Sequence, residues 1–142
     1  TELGVTAFHL IRSHYANCHS SNMSRFGKIT RQAIKQSRQY YLPEIILHSD
    51  FQSFFEQSRS FDIRLAAIDS EQPRLMERLN TVLYEKVKAI CLLVGPEGGF
   101  SEEEIRTINA NGFKGVSLGK SRLRTETAAI SGLSVIQQYI NS

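Results

Sequence analysis

Residues 89–94 (AICLLV) are apolar without a break, and Gly95-Pro96-Glu97-Gly98-Gly99 ends the run. Six residues are too few for a buried helix, and the run lacks the alternation of a strand with one wet face. A strand apolar on both sides belongs in a parallel sheet with helices packed on each face. Directly after the glycines, Ser101 and Glu104 have the S-x-x-E spacing of a capping box, and Gly112 supplies a helix stop.

The rest of the chain repeats this alternation. Further strands are expected at 5–11 (VTAFHLI), 44–48 (EIILH), 63–68 (IRLAAI) and 115–119 (GVSLG). A helix over 24–38, capped by Ser24, places Phe26, Ile29, Ala33 and Ile34 inward. Another over 51–59 buries Phe54 and Phe55. A third starts near Pro73 with Leu75, Leu79, Val82 and Leu83 on one face, and a last one over 126–140 turns Ile130, Leu133, Ile136 and Ile140 inward. The polar stretch 13–22 reads as a loop. With helices between strands and no hairpin signal, the expected fold is α/β, a mainly parallel sheet with helices on both faces, in a single domain.

Hydrophobic content of 41% and charged content of 22% match a soluble globular protein, and no apolar stretch approaches the length of a membrane span. No signal peptide is expected. Cys18 falls in the polar loop and Cys91 inside the apolar run, so no disulfide is expected and a reducing compartment is. The net charge of +3 is unevenly spread. Between Glu2 and Glu44 there is no acid, yet Arg12, Arg25, Lys28, Arg31, Lys35 and Arg38 all fall there. On the 24–38 helix the last five gather opposite the apolar side. Such a face suits a polyanion; the alternative is an ordinary solvated helix face.

Ligands of parallel sheets collect beyond the carboxyl ends of the strands. Three ends stand out: Ile68-Asp69-Ser70, the glycine loop 95–99, and 118–127 (LGKSRLRTET). The glycine loop offers bare backbone, with a plain strand–helix turn as its alternative. It lacks the GK[ST] of a Walker loop and the spacing of GxGxxG, and Glu97 at its centre would repel a phosphate but suits a cationic or hydroxyl-bearing ligand. In the third segment Lys120, Arg122 and Arg124 lead to a helix start, with Thr125 as cap and Glu126 in the first turn. His9 lies in a strand and reads as structural. The HxxxCH spacing of His14, Cys18 and His19 has no metal specificity, so no metal is expected.

Taken together, LVGPEGGFSEEEI and GVSLGKSRLRTETAAI resemble the bacterial 16S rRNA uridine-N3 methyltransferases of the knotted SPOUT class. The paired motifs are an apolar strand with GPEGGF and S-x-x-E, then LG-x-x-x-LR-x-ETA. TELGV and KQSRQYYLPEI extend the resemblance over almost the whole chain. One departure is local: where many members have Gly-Arg after Gln-Ser, this chain has Arg38-Gln39. The other is larger. The family carries an N-terminal PUA-like RNA-binding domain and one more strand and helix before TELGV, so residues 1–142 read as a SPOUT domain without its first strand.

The resemblance implies a C-terminal trefoil knot, S-adenosylmethionine as cofactor, 16S rRNA in the small ribosomal subunit as partner, a homodimer and a cytoplasmic location. Ile68, Val94, Gly95, Glu97, Gly98, Leu118, Gly119, Leu123, Thr125 and Thr127 would form the cofactor pocket. Arg124 would stabilise charge on the uracil or hold its phosphate, and Glu126 would serve either as general base or as a lock on Arg124. Arg12, Arg25, Lys28, Arg31, Lys35, Arg38, Lys120 and Arg122 would follow the RNA backbone. The alternatives are an RNA- and cofactor-binding fragment without turnover, a SPOUT enzyme with another RNA target, and a nucleotide-binding regulator.

Overall fold

Strand and helix alternate along the chain as the apolar pattern requires. The computed structural model describes residues 1–15, 23–81 and 87–141. Among these the order is β1 (Ala7–Ile11), α1 (Met23–Ser37), β2 (Glu44–His48), α2 (Phe51–Ser58), β3 (Ile63–Ala67), α3 (Leu75–Asn80), β4 (Ile90–Val94), α4 (Glu102–Ala110), β5 (Lys114–Val116) and α5 (Thr125–Ile140). Every strand pairing is parallel. The pairings fall into two groups, β1 beside β2, and β3 between β4 and β5.

Register assigns the faces. Ile63 lies beside Ile90 and Leu65 beside Leu92, while Arg64 lies beside Cys91 and Ala66 beside Leu93. Because side chains alternate along a strand, these two sets point to opposite sides. Ala66, Cys91 and Leu93 join Phe54 and Phe55 of α2, Ile108 of α4 and Phe113 in one buried cluster. Ile63 and Leu65 join Leu75 and Leu79 of α3, Val116, and Ile136 and Tyr139 of α5 in the other. The apolar run of β4 is thus covered on both faces. α5 lies so close that a Cβ at Gly132 would run into the Leu92 side chain.

Local chemistry fixes the helix ends. Asp50 caps α2, accepting from the Ser53 amide at 2.8 Å. Ser101 and Glu104 form the expected box on α4, at 3.1 and 2.8 Å. α4 ends at Asn111, with Gly112 at φ +81°. Arg38, just past α1, has φ +55°, a left-handed conformation that costs a side-chain-bearing residue and favours glycine. In the β1–β2 pair, His9 Nδ1 and His48 Nε2 share a hydrogen bond of 2.8 Å, with Phe54 against both rings. His9 is therefore built into the packing.

Several expectations need correction. Ile29, Ile130 and Ile140 are exposed, Ile130 at 60%. The inner face of α1 centres on buried Thr30, and that of α5 on Ala128, Gly132, Ile136 and Tyr139. Thr125 is the first residue of α5 and Arg124 occupies the cap position. β5 ends at Val116, because Ser117 turns the chain by bonding both the amide and the carbonyl of Gly119. Cys18, His19, Val82 and Leu83 lie outside the described residues.

Candidate functional site

Parallel pairing brings the carboxyl ends of β3, β4 and β5 to one edge, and the segments leaving them line a half-open cavity of about 480 Å³. Its apolar wall includes Ile68, Val94, Leu118 and Leu123. Glu97 contributes a carboxylate, and Lys120 and Arg122 contribute cations. The size falls in the usual range for a small-molecule site.

Two hydrogen bonds tie the β4 and β5 segments together. Thr125 Oγ1 donates to the Gly95 carbonyl at 2.9 Å. Arg122 Nη2 donates to the Glu97 carbonyl, also at 2.9 Å. The hydroxyl assigned by sequence to capping α5 is used here as a cross-tie, and a cation assigned to RNA braces the glycine loop. Within that loop the Gly99 amide donates to Pro96 O at 2.8 Å, closing a tight turn.

The glycines play different parts. A Cβ on Gly95 would press on the Phe100 ring at 3.2 Å, so that position is filled by the protein's own packing. At Gly119, φ is +154° and nothing lies within 4 Å of a Cβ position. Bare backbone therefore meets open space on the β5 segment.

Of the ten residues assigned to a pocket by sequence, Ile68, Val94, Gly95, Glu97, Gly98, Leu118, Gly119, Leu123 and Thr125 line this cavity. Thr127 is exposed and outside the lining. Arg124 and Glu126, also exposed, flank the cavity beside lining residues Leu123 and Thr125. Arg25, Lys28, Arg31, Lys35 and Arg38 are exposed along and just beyond α1, and Arg12 is exposed just after β1. None of these six lines the cavity. Asp69, Ser70 and Phe100 also line it, though none was named to the pocket. The first two belong to the strand-end segment Ile68-Asp69-Ser70 that the sequence singled out as a place where ligands collect, just past β3.

Cys91 is not a nucleophile: burial pushes its thiol up to about 12, against a smaller opposing effect of the Arg64 charge. Among the described residues no group of three or more His, Cys, Asp or Glu is arranged to hold a metal. No described helix is long and apolar enough to cross a membrane.

Relatives share this architecture. A methyltransferase from Legionella pneumophila, solved with the bound cofactor SAM, superposes with TM-score 0.85 at 29% identity, over 96% of this chain and 57% of that one. A ribosomal RNA small subunit methyltransferase E from Neisseria gonorrhoeae, bound to S-adenosyl methionine, gives 0.82 at 28% identity, over 96% and 56%. A protein named ribosomal RNA small subunit methyltransferase E in Synechocystis is 32% identical over the whole of this chain and 48% of its own length. The protein of that name in Mesomycoplasma hyopneumoniae is 31% identical over 76% of this chain and 45% of its own. The chain spans about half the length of these curated relatives. Residues 1–137 match the RNA methyltransferase domain as a family, and the chain belongs to that family.

Proposed function

We propose that this chain is the catalytic part of an S-adenosylmethionine-dependent methyltransferase acting on N3 of a uridine in 16S rRNA of the small ribosomal subunit, working as a cytoplasmic homodimer. The observation that carries the reading is the cavity itself, framed by the GPEGG and LGKSRLRTET segments and tied across by Thr125 and Arg122. Its residues fit the cofactor. Ile68, Leu118 and Leu123 offer an apolar slot for a flat ring, the open backbone at Gly119 suits ring nitrogens, and Glu97 suits a cationic or hydroxyl-bearing portion. The reading carries with it a C-terminal trefoil knot, in which the C-terminal segment would pass through the chain beside the cofactor.

The bound cofactor supplies an electrophilic methyl carbon on a sulfonium. Uracil N3 carries a proton at neutral pH, and that proton must leave before nitrogen attacks. Arg124, exposed at the α5 cap position beside lining residues Leu123 and Thr125, would stabilise negative charge on O2 or O4 or hold the adjoining phosphate. Glu126 is the candidate acceptor for the proton. Its place outside the cavity lining favours a larger share for correct placement of the reacting atoms. The cationic face of α1, Arg12 and Lys120 would follow the RNA backbone, while Arg122 would combine that role with bracing the loop.

Calorimetric titration with S-adenosylmethionine tests the reading, beside a Gly98→Arg variant. Saturable binding by the parent and none by the folded variant is expected. A folded parent that binds no cofactor overturns it.

A further inference from the structure

The segment just after β1 touches the glycine loop in a way the sequence did not announce. A Cβ placed on Gly98 would lie 2.7 Å from Tyr15 Cβ and 3.0 Å from Tyr15 Cγ, so the base of the tyrosine rests directly on a residue that lines the cavity. Tyr15 nevertheless stays 50% exposed and is not itself part of the lining. Its position is held from the side. The His14 amide donates to Glu104 Oε1 at 2.7 Å, and the His14 ring meets Tyr15 edge-on at 4.7 Å. An aromatic ring is thus fixed at its root, open to solvent, and one residue away from the cavity.

Two other exposed tyrosines offer a contrast. Tyr40 and Tyr41 are 94% and 80% exposed on the connection leading into β2. β1 and β2 run parallel, with Ala7 beside Glu44 and Ile11 beside His48. Tyr40 and Tyr41 therefore lie at the start of the strand pair and Tyr15 beyond its end, roughly 13 Å of strand apart at ~3.3 Å per residue. Of the three, Tyr15 is the one that touches the cavity's lining.

A base taken out of folded RNA needs a surface to replace its lost stacking, and aromatic side chains commonly provide it. We propose that Tyr15 is that surface: a positioning residue on which the target base stacks at the rim of the cavity. The inference rests on the RNA methyltransferase reading above and names a contact that reading leaves open. Arg12, three residues earlier, and Lys120 on the cavity lining supply cations for the flanking phosphates. Loss of the ring should weaken binding of a uridine-containing RNA roughly 5- to 150-fold, the range that base–aromatic stacking covers.

The test is photocrosslinking of the full chain to a single-stranded RNA oligonucleotide carrying one 5-iodouridine at its centre, with the adduct mapped by peptide mass spectrometry. An adduct on Tyr15, kept in Tyr15→Phe and in a Tyr40→Ala/Tyr41→Ala chain and lost in Tyr15→Leu, is the expected result. Tyr15→Leu retains a bulky side chain against Gly98, and its thermal midpoint and S-adenosylmethionine affinity, measured alongside, should match the parent's. Adducts confined to other residues, or none at all, overturn the proposal. If the parent binds no S-adenosylmethionine, the methyltransferase reading fails by its own assay, while the adduct map still decides Tyr15.

Discussion

Replacing Thr125 with valine would remove the 2.9 Å hydrogen bond from Thr125 Oγ1 to the Gly95 carbonyl and change little else. Valine has nearly the shape of threonine, and both are β-branched with similar helix propensity. The bond joins the first turn of α5 to the end of β4, and both its ends line the cavity. A typical net contribution is about 1 kcal/mol. Gly95 is only half-buried, so water can replace the lost donor and the cost stays near that figure. The thermal midpoint should fall by roughly 3 °C for a domain of this size. Cofactor binding must then draw the two segments together again, and calorimetry should show a Kd raised up to about fivefold, the equivalent of 1 kcal/mol. Thr127→Val is the matched control: same helix turn, exposed, outside the lining, and expected to stay within about 0.5 kcal/mol of the parent. If Thr125→Val kept both the parent's midpoint and its affinity, or if the two variants behaved alike, the cross-tie argument would fail.

His9 and His48 both titrate below the ordinary 6.5, chiefly through burial; for His9 the His48 charge adds to this against Glu44, and for His48 Asp50 opposes it. The unfolded chain therefore takes up protons first, so stability is full above pH 6.5 and declines as pH falls below it; urea midpoints should show this, and His48→Gln should flatten the decline. Ellman's reagent should leave Cys91 untouched in a native Cys18→Ser chain and label it on unfolding, whereas rapid native labelling would contradict its burial. Replacing Lys28, Arg31 and Lys35 together by glutamine should lower the slope of log K against log[salt] for single-stranded RNA by roughly two, and an unchanged slope would return that face to plain solvation.

What the sequence made legible was local or periodic. The Ser101–Glu104 box depends on a four-residue spacing, and it forms as read. The alternation of strands and helices needs only apolar periodicity, as does the double-faced burial of β4. Periodicity locates the centre of a helix face better than its width, which is why Ile29, Ile130 and Ile140 end up exposed at the margins. The role of Thr125 was hidden because it depends on where Gly95 lies in space, thirty residues away in the chain. Tyr15 was hidden for the same reason: nothing in 13–22 points to Gly98 until β1 and β4 are placed. Arg38 shows the opposite case. Its departure from the family's Gly-Arg order was visible in the sequence, and the fold supplies the meaning, a left-handed position occupied by a residue with a side chain.

The glycine loop after β4 shows how far a motif can be read without its surroundings. Three glycines beside a proline suggest a backbone left bare for a ligand, yet Phe100 crowds the Cβ position of Gly95 and Tyr15 that of Gly98. Those two absent side chains let the loop fold tightly against the Phe100 ring and the base of Tyr15, and the Arg122 guanidinium then holds its Glu97 carbonyl. One wall of the cavity is thereby braced, while Gly119 lines it from the β5 segment with open space at its Cβ position. A braced wall together with accessible backbone suits a site that must hold a small molecule in one orientation. The GPEGG motif is thus first a packing device, and under the proposed reading it would serve a ligand by fixing the shape of the wall it lines.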